Sequence, residues 1–399
     1  MATTSARRRK RVTAWLPAIG VAALVLCLLA AAPAGAGLTI PPSAVPTGPA
    51  AKAGGAVSTA RLTAAQRQEL GDLAAKFRRA AKTPEERTPL VDKALAFGDP
   101  APAMLLDLVN KELQPLRQKY RADFLKRAGD LLRDKARDSS GQPINALRQT
   151  VLDLGKDAGL THETLVAKAD PAMAELNKLM MLDPSAVLAD APALASQRTA
   201  MAEIGRHWER LVEHLAAASP AAAAGPSNPG PPPPVPPGSP TKIEDLLRED
   251  DSLGVLLALA PDDNERRVLL ANADLEPKIQ AEEARGIRDL NRIRLLLGLK
   301  ALRIDVPLCE AARDHSKDMV TKEFFAHDSR VPGKKTPWDR AKRFGTSAGA
   351  ENIAAGNATG AGTNQQWFRS PGHHRNMLGS HNRVGLGRHE KTWTQMFGG

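Results

Sequence analysis

Apolar residues recur at helical spacing through the middle of the chain. Leu113, Leu116, Tyr120, Phe124 and Leu131 fall on one face of a single long helix, and the other faces are rich in Lys, Arg, Glu and Asp. The same pattern over residues 61–217 predicts a helical bundle or an elongated spacer with solvated charges. Thr63 with Gln66 and Thr83 with Glu86 have the spacing of capping boxes, the second with Pro84 at the first helical position. Asp170-Pro171 and Asp183-Pro184 predict further helix starts. This stretch holds no grouping that carries chemistry, and His162, His207 and His214 are expected at the surface or in packing.

The helical pattern resumes at Thr241, with Glu244 three residues on as a capping partner, and residues 242–278 form a helical lead-in. A new unit spans 279–399. Ile287, Leu290, Ile293, Leu296 and Leu297 mark one helix, and Pro307 opens the next. On it Leu308, Ala312, His315 and Met319 share a face at spacings of four, three and four. His315 therefore points inward, either as a hydrogen-bonded core histidine or as a cavity-lining ligand. Cys309 lies beside that face, with no basic neighbour in view to lower its pKa, and reads as a buried, inert thiol. The period then changes to two. Residues 383–387 form a short, glycine-interrupted strand, and Thr392 to Phe397 alternates Trp393, Gln395 and Phe397 against Thr392, Thr394 and Met396. Helices first and strands late predict an α+β fold.

Composition separates these units. Residues 218–241 are a Pro-rich linker whose PPPPVPP run favours an extended polyproline helix. Residues 37–60, rich in Pro, Ala and Gly, predict a flexible segment. The first 36 residues read as a signal peptide: a basic cluster from Arg7 to Arg11, an apolar stretch from Trp15 to Ala32, then Ala34-Gly35-Ala36 as small residues for cleavage. The alternative is an uncleaved N-terminal membrane anchor. Either makes the protein secreted or extracytoplasmic. Cleavage leaves Cys309 alone, which excludes an intrachain disulfide scaffold.

Net charge is +11, and residues 279–399 hold 20 Lys and Arg against 12 Asp and Glu. A basic surface suits anionic polymers. The basic residues are scattered without aromatic interleaving or a DNA-binding motif, which disfavours nucleic acid. After Asp339 only Glu351 and Glu390 remain as acids, while six of the nine histidines lie between His315 and His389. A lone carboxylate among histidines singles out Glu351.

Several motifs in this unit occur in a specific order: LNRIRLLLGLKAL, CEAARDHSKDM, FFAHDS, AENIA, WFRSPGHHRNML and WTQMFG. Together, over residues 287–398, they resemble a bacterial member of the CAP superfamily of cysteine-rich secretory proteins, antigens and pathogenesis-related proteins. The resemblance implies an α-β-α sandwich: an antiparallel sheet between helical layers, with a cleft lined by His and Glu. It places His327, Glu351 and His373 in that cleft. It also marks departures. Ser370 stands where eukaryotic members have a second Glu, and Thr392 where they have a His. Ala350 replaces a Gly before Glu351, which would cost stability if that backbone needs positive φ.

Two imidazoles and a carboxylate suit a divalent metal such as Zn²⁺ with open positions, or a general acid and base. The same residues also suit a buried hydrogen-bonded network forming the cleft floor. No HExxH helix is present, and His373 and His374, adjacent on a helix, do not face one ion. Ser370 before Pro371-Gly372 reads as a cap or turn residue rather than a nucleophile. The reading favoured is an exported binding module of the cell envelope or extracellular space, with cell-wall polymer, lipid or an envelope protein as partner. The alternatives are an envelope hydrolase using Glu351 and a structural or adhesion protein acting through its helices.

Overall fold

A computed structural model describes residues 62–80, 84–138, 143–218 and 240–399. The predicted signal peptide, the flexible segment, Thr83 and all but the ends of the Pro-rich linker lie outside the described residues. Among the described residues no helix is long and apolar enough to cross a membrane.

The first helices are α1 (Ala64–Arg79), α2 (Pro84–Phe97), α3 (Ala101–Asp138), α4 (Ile144–Leu154), α5 (His162–Met180), α6 (Pro184–Leu188) and α7 (Pro192–Ala218). Thr63 and Gln66 form the expected reciprocal cap of α1, and Asp183 caps α6 by accepting from the Ser185 amide. The long amphipathic helix is α3, with Leu113, Tyr120 and Phe124 buried. One expected helix start fails. Pro171 lies inside α5, whose cap is Thr161, because Asp170 instead pairs with Arg369 at 2.8 Å and the apolar face from Leu165 to Leu179 runs through. His207 packs edge-on against Phe77.

After the linker come α8 (Ile243–Leu259), α9 (Asp263–Leu275) and α10 (Ala281–Leu296). Thr241 does not cap α8. The cap position is Lys242, without a side-chain bond, and Glu244 turns to Arg198. Helix α8 is a wall shared by two cores. Leu246, Leu247 and Val255 join the core of α1–α3 and α7, while Leu253, Leu256 and Leu257 join the core of the C-terminal unit. On the first side Asp250 is buried between Arg117 and Arg121, at 2.8 Å from Nε of each. Removing one partner of such a pair would strand a buried charge.

The C-terminal unit continues with β1 (Arg303–Ile304), α11 (Val306–Thr321), α12 (Pro337–Arg343), β2 (Ala350–Ala355), α13 (Gly360–Phe368), α14 (Pro371–Leu378), β3 (Arg383–His389) and β4 (Thr392–Gly398). The sheet order is β1-β3-β4-β2. Three strands are antiparallel as expected, and the two-residue β1 adds a parallel edge against β3. The alternation in β4 sorts its two faces. Met396 packs with Leu308, Ala311 and Ala312 of α11, whereas Trp393 and Phe397 join the core of α10 and α13. Helical layers thus cover both faces, which is the sandwich. Gly385 and Gly387 let α11 lie directly on β3: a Cβ on Gly387 would sit 2.0 Å from the Arg313 amide nitrogen. Leu308, Ala312, His315 and Met319 are all buried, and so is Cys309, whose thiol pKa burial pushes up.

Helices α4 and α5 also pack on this unit. Val151, Leu165 and Leu176 share a core with Ile287, Leu290 and Trp367. Polar contacts fasten the seam: Arg148 Nε donates to the Leu296 carbonyl at 2.8 Å, and His162 Nδ1–H to that of Arg369 at 2.7 Å.

Candidate functional site

The site forms around the edge strand β2, whose period of two sends neighbours to opposite faces. Glu351 is opposite Met396, on the face covered by α11, and Asn352 is opposite Gln395, on the other. Ala350 is not among the residues with positive φ and begins the strand, so the loss of Gly there carries no backbone strain.

The Glu351 carboxylate is withdrawn from solvent and held at both oxygens. His327 Nδ1–H donates to Oε1 at 2.9 Å, and Arg340 NH2 donates to Oε2 at 2.5 Å. Arg340 is fully buried, and its other terminal nitrogen donates to the carbonyls of Lys334 and Lys335 at 3.1 and 3.0 Å. Its helix is set by a reciprocal cap between Thr336 and Asp339, with Pro337 in the first turn. This cap aims Arg340 inward. The His327 side chain, by contrast, remains 52% exposed. With Nδ1 committed to Glu351, Nε2 is the ring nitrogen left for a ligand.

His315 supports this loop from beneath. It is a core histidine, as one of the two readings had it, and its Nε2–H donates to the Ala326 carbonyl at 3.1 Å, one residue before His327. Burial lowers its pKa to about 4, the nearby Glu351 charge opposing.

Across the edge strand, a chain of amides holds α14. Asn376 Nδ2 donates to the Glu351 carbonyl at 3.1 Å and to Asn352 Oδ1 at 2.9 Å, and Asn352 Nδ2 donates to Gln395 Oε1 at 3.0 Å. His373 is half-buried on α14 and its pKa is lowered, first by burial and second by the charge of His327, which places both rings in one neighbourhood. His374 turns the other way. It is buried against Phe368, donates from Nδ1 to the Phe368 carbonyl at 2.8 Å, and lies beside Gly155, which follows α4. Ser370 occupies the cap position of α14 without a side-chain bond.

The structure thus brings His327 and Glu351 into direct contact and His373 near them. It does not group the trio as metal ligands. Among the described residues no three His, Cys, Asp or Glu side chains are gathered to hold an ion. The physical reason is Arg340: Glu351 already neutralises a buried guanidinium, so the donor set does not fit Zn²⁺. Arg340, Asn352 and Asn376 escaped the sequence reading. The Thr336–Asp339 spacing is a signal that could have marked the helix of Arg340, though not the carboxylate it reaches, 11 residues on.

Residues 287–397 match the family described as the cysteine-rich secretory protein family, CAP. The chain is 37% identical over 124 residues to "Uncharacterized protein YkwD" of Bacillus subtilis (strain 168), covering 30% of this chain and 48% of that protein. It is 34% identical over 122 residues to "Uncharacterized membrane protein YlbC" of the same organism, covering 30% and 35%. A crystal structure of an extracellular protein containing an SCP domain from Bacillus anthracis str. Ames aligns at 31% identity, covering 31% of this chain and 42% of that one, with a TM-score of 0.29. The chain spans less than half the length of these relatives.

Proposed function

We propose, from the premise that residues 287–397 form a CAP domain, that this protein is an exported binding protein whose ligand sits over His327 in the cell envelope or extracellular space. The observation that carries this reading is the double engagement of Glu351. A general base needs a carboxylate free to take a proton within reach of substrate. Here both oxygens are occupied, one by a buried arginine. What remains for a ligand is a fixed imidazole with its Nε2 edge outward, beside the half-buried His373. That geometry favours recognition over turnover. Cell-wall polymer is the partner class that the basic balance of residues 279–399 fits best.

The test is retention of the purified full chain on insoluble wall sacculi, together with an assay for soluble fragments. The chain is expected to be retained without releasing fragments. His327→Ala, at an exposed ring, is expected to stay folded and lose retention. Fragment release that disappears in a folded Glu351→Gln protein would establish a hydrolase instead.

A further inference from the structure

We infer that α5 sets the ligand face of the cleft from outside the C-terminal unit, with Asp170 and Asn177 as positioning residues that hold α14 and, with it, His373. The inference rests on the reading of this cleft as a binding site and adds how that site is regulated. Asp170 and Asn177 stand seven residues apart on one helix, close to two full turns and about 10 Å. They therefore share a face, and each reaches α14 by its own route.

The first route is direct. Helix α14 has eight residues, and its two ends are held differently. At the C-terminal end Arg294 NH1 donates to the carbonyls of Met377 at 2.7 Å and Gly379 at 3.1 Å. The end that carries His373 is held from α5. Asp170 pairs at 2.8 Å with Arg369, two residues before α14 begins, and His162 Nδ1–H donates to the Arg369 carbonyl at 2.7 Å. His374, the neighbour of His373, is buried beside Gly155 in the same seam.

The second route is a chain of side chains through the C-terminal unit. Asn177 Oδ1 accepts from Arg292 NH1 at 2.8 Å, and Arg292 NH2 donates to Asp289 Oδ1 at 2.8 Å. Asp289 Oδ2 accepts from Asn364 Nδ2 at 3.0 Å, Asn364 Oδ1 from Gln395 Nε2 at 3.3 Å, and Gln395 Oε1 from Asn352 Nδ2 at 3.0 Å. The chain ends on α14, where Asn376 Nδ2 donates to Asn352 Oδ1 at 2.9 Å. Asn352, Asn364 and Gln395 are fully buried. A carboxylate only accepts, so Asp289 fixes which end of Asn364 faces it, and each amide fixes the next. All four amides thus point one way, and the last presents its NH2 to the Glu351 carbonyl. Aligned hydrogen bonds strengthen one another, so a loss at the Asn177 end weakens the hold on α14.

The test is hydrogen–deuterium exchange of the full chain, read at the α14 amides and, as a measure of global stability, at those of β3 and β4. In the double variant Asp170→Ala with Asn177→Ala the α14 amides are expected to exchange roughly tenfold faster, while β3 and β4 change little. Asn177→Asp keeps an acceptor for Arg292 and should exchange as the wild type does. Lys178→Ala, on the exposed side of the same helix, should do so too. Retention of the double variant on wall sacculi should fall as α14 loosens. Unchanged α14 exchange in the double variant, or β3 and β4 accelerating as much as α14, would overturn the inference. Full retention by a variant whose α14 exchanges faster would overturn it as well. If the wild type itself is not retained, the binding reading falls on that result alone, and the exchange data still decide whether α5 holds α14.

Discussion

Arg340 and Glu351 form an ion pair at 2.5 Å in which neither side chain reaches solvent. Both are committed: the guanidinium also ties down the turn at 334–335, and the carboxylate also orients His327. Glu351→Gln keeps the shape but leaves Arg340 charged and buried. The expected loss of stability is about 3 kcal/mol, in line with breaking one side of a buried pair. The double change Arg340→Met with Glu351→Gln is expected to cost less than the sum of the two single changes. Urea unfolding of the four proteins checks this, and strict additivity would show that the pair is not coupled.

The same occupancy bears on metal. Zn²⁺ titration of the full chain is expected to show no saturable site that depends on His327. A one-site isotherm lost in His327→Ala would reinstate the trio of His327, Glu351 and His373 as ligands and displace Arg340 from the carboxylate.

Gly387 sets how close α11 lies to the sheet. A methyl group there would overlap the backbone of Ala312 and Arg313, which is not the end of a flexible side chain and must move as a whole. Gly387→Ala is expected to cost about 1–3 kcal/mol or more through overpacking. Thermal melts should show it, while Gly372→Ala, where a Cβ meets nothing within 4 Å, should change little.

What the sequence disclosed follows from what periodicity can carry. The faces of β4 and the buried face of Leu308, Ala312, His315 and Met319 were legible because one face of each element is apolar. His327 and Glu351 were legible through motif order and through the scarcity of acids. Arg340 was not, since a buried arginine differs from a surface one only through a partner distant in sequence. Strand β2 was hidden as well: AENIAA has little β-branched character, and it is held by its register with β4 rather than by propensity. The packing of α4 and α5 against the C-terminal unit was equally hidden, because an apolar face does not name the face it meets.

That packing alters what limited proteolysis should give. Cleavage in the Pro-rich linker is expected first, on composition. The two products are expected to co-elute on size exclusion, because α8 joins both cores and α4 and α5 cover Ile287, Leu290 and Trp367. Residues 279–399 expressed alone would expose that apolar surface, and they are expected to aggregate or to melt at lower temperature than the full chain. A monomeric 279–399 fragment as stable as the full chain would show that the seam contributes nothing.

Acid should loosen the site through His315. Its pKa is about 4 in the folded protein because burial disfavours the imidazolium, against an ordinary value of 6.5. Between those values the unfolded chain binds a proton that the folded chain refuses, so stability falls as pH falls. The contribution is intact above pH 6.5 and is lost progressively as pH drops through 4. The shift corresponds to roughly 3 kcal/mol at most. His373, His374 and His381 are lowered in the same direction by burial and add to the slope. His315 keeps its Nε2–H bond to the Ala326 carbonyl when protonated, and the cost falls on the buried Nδ1, which has no hydrogen-bond partner. Denaturant midpoints measured from pH 7 to pH 4 should therefore fall more steeply in the wild type than in His315→Gln, which keeps a donor without the titration. Equal slopes would assign the acid sensitivity to the other three histidines and remove His315 from the account.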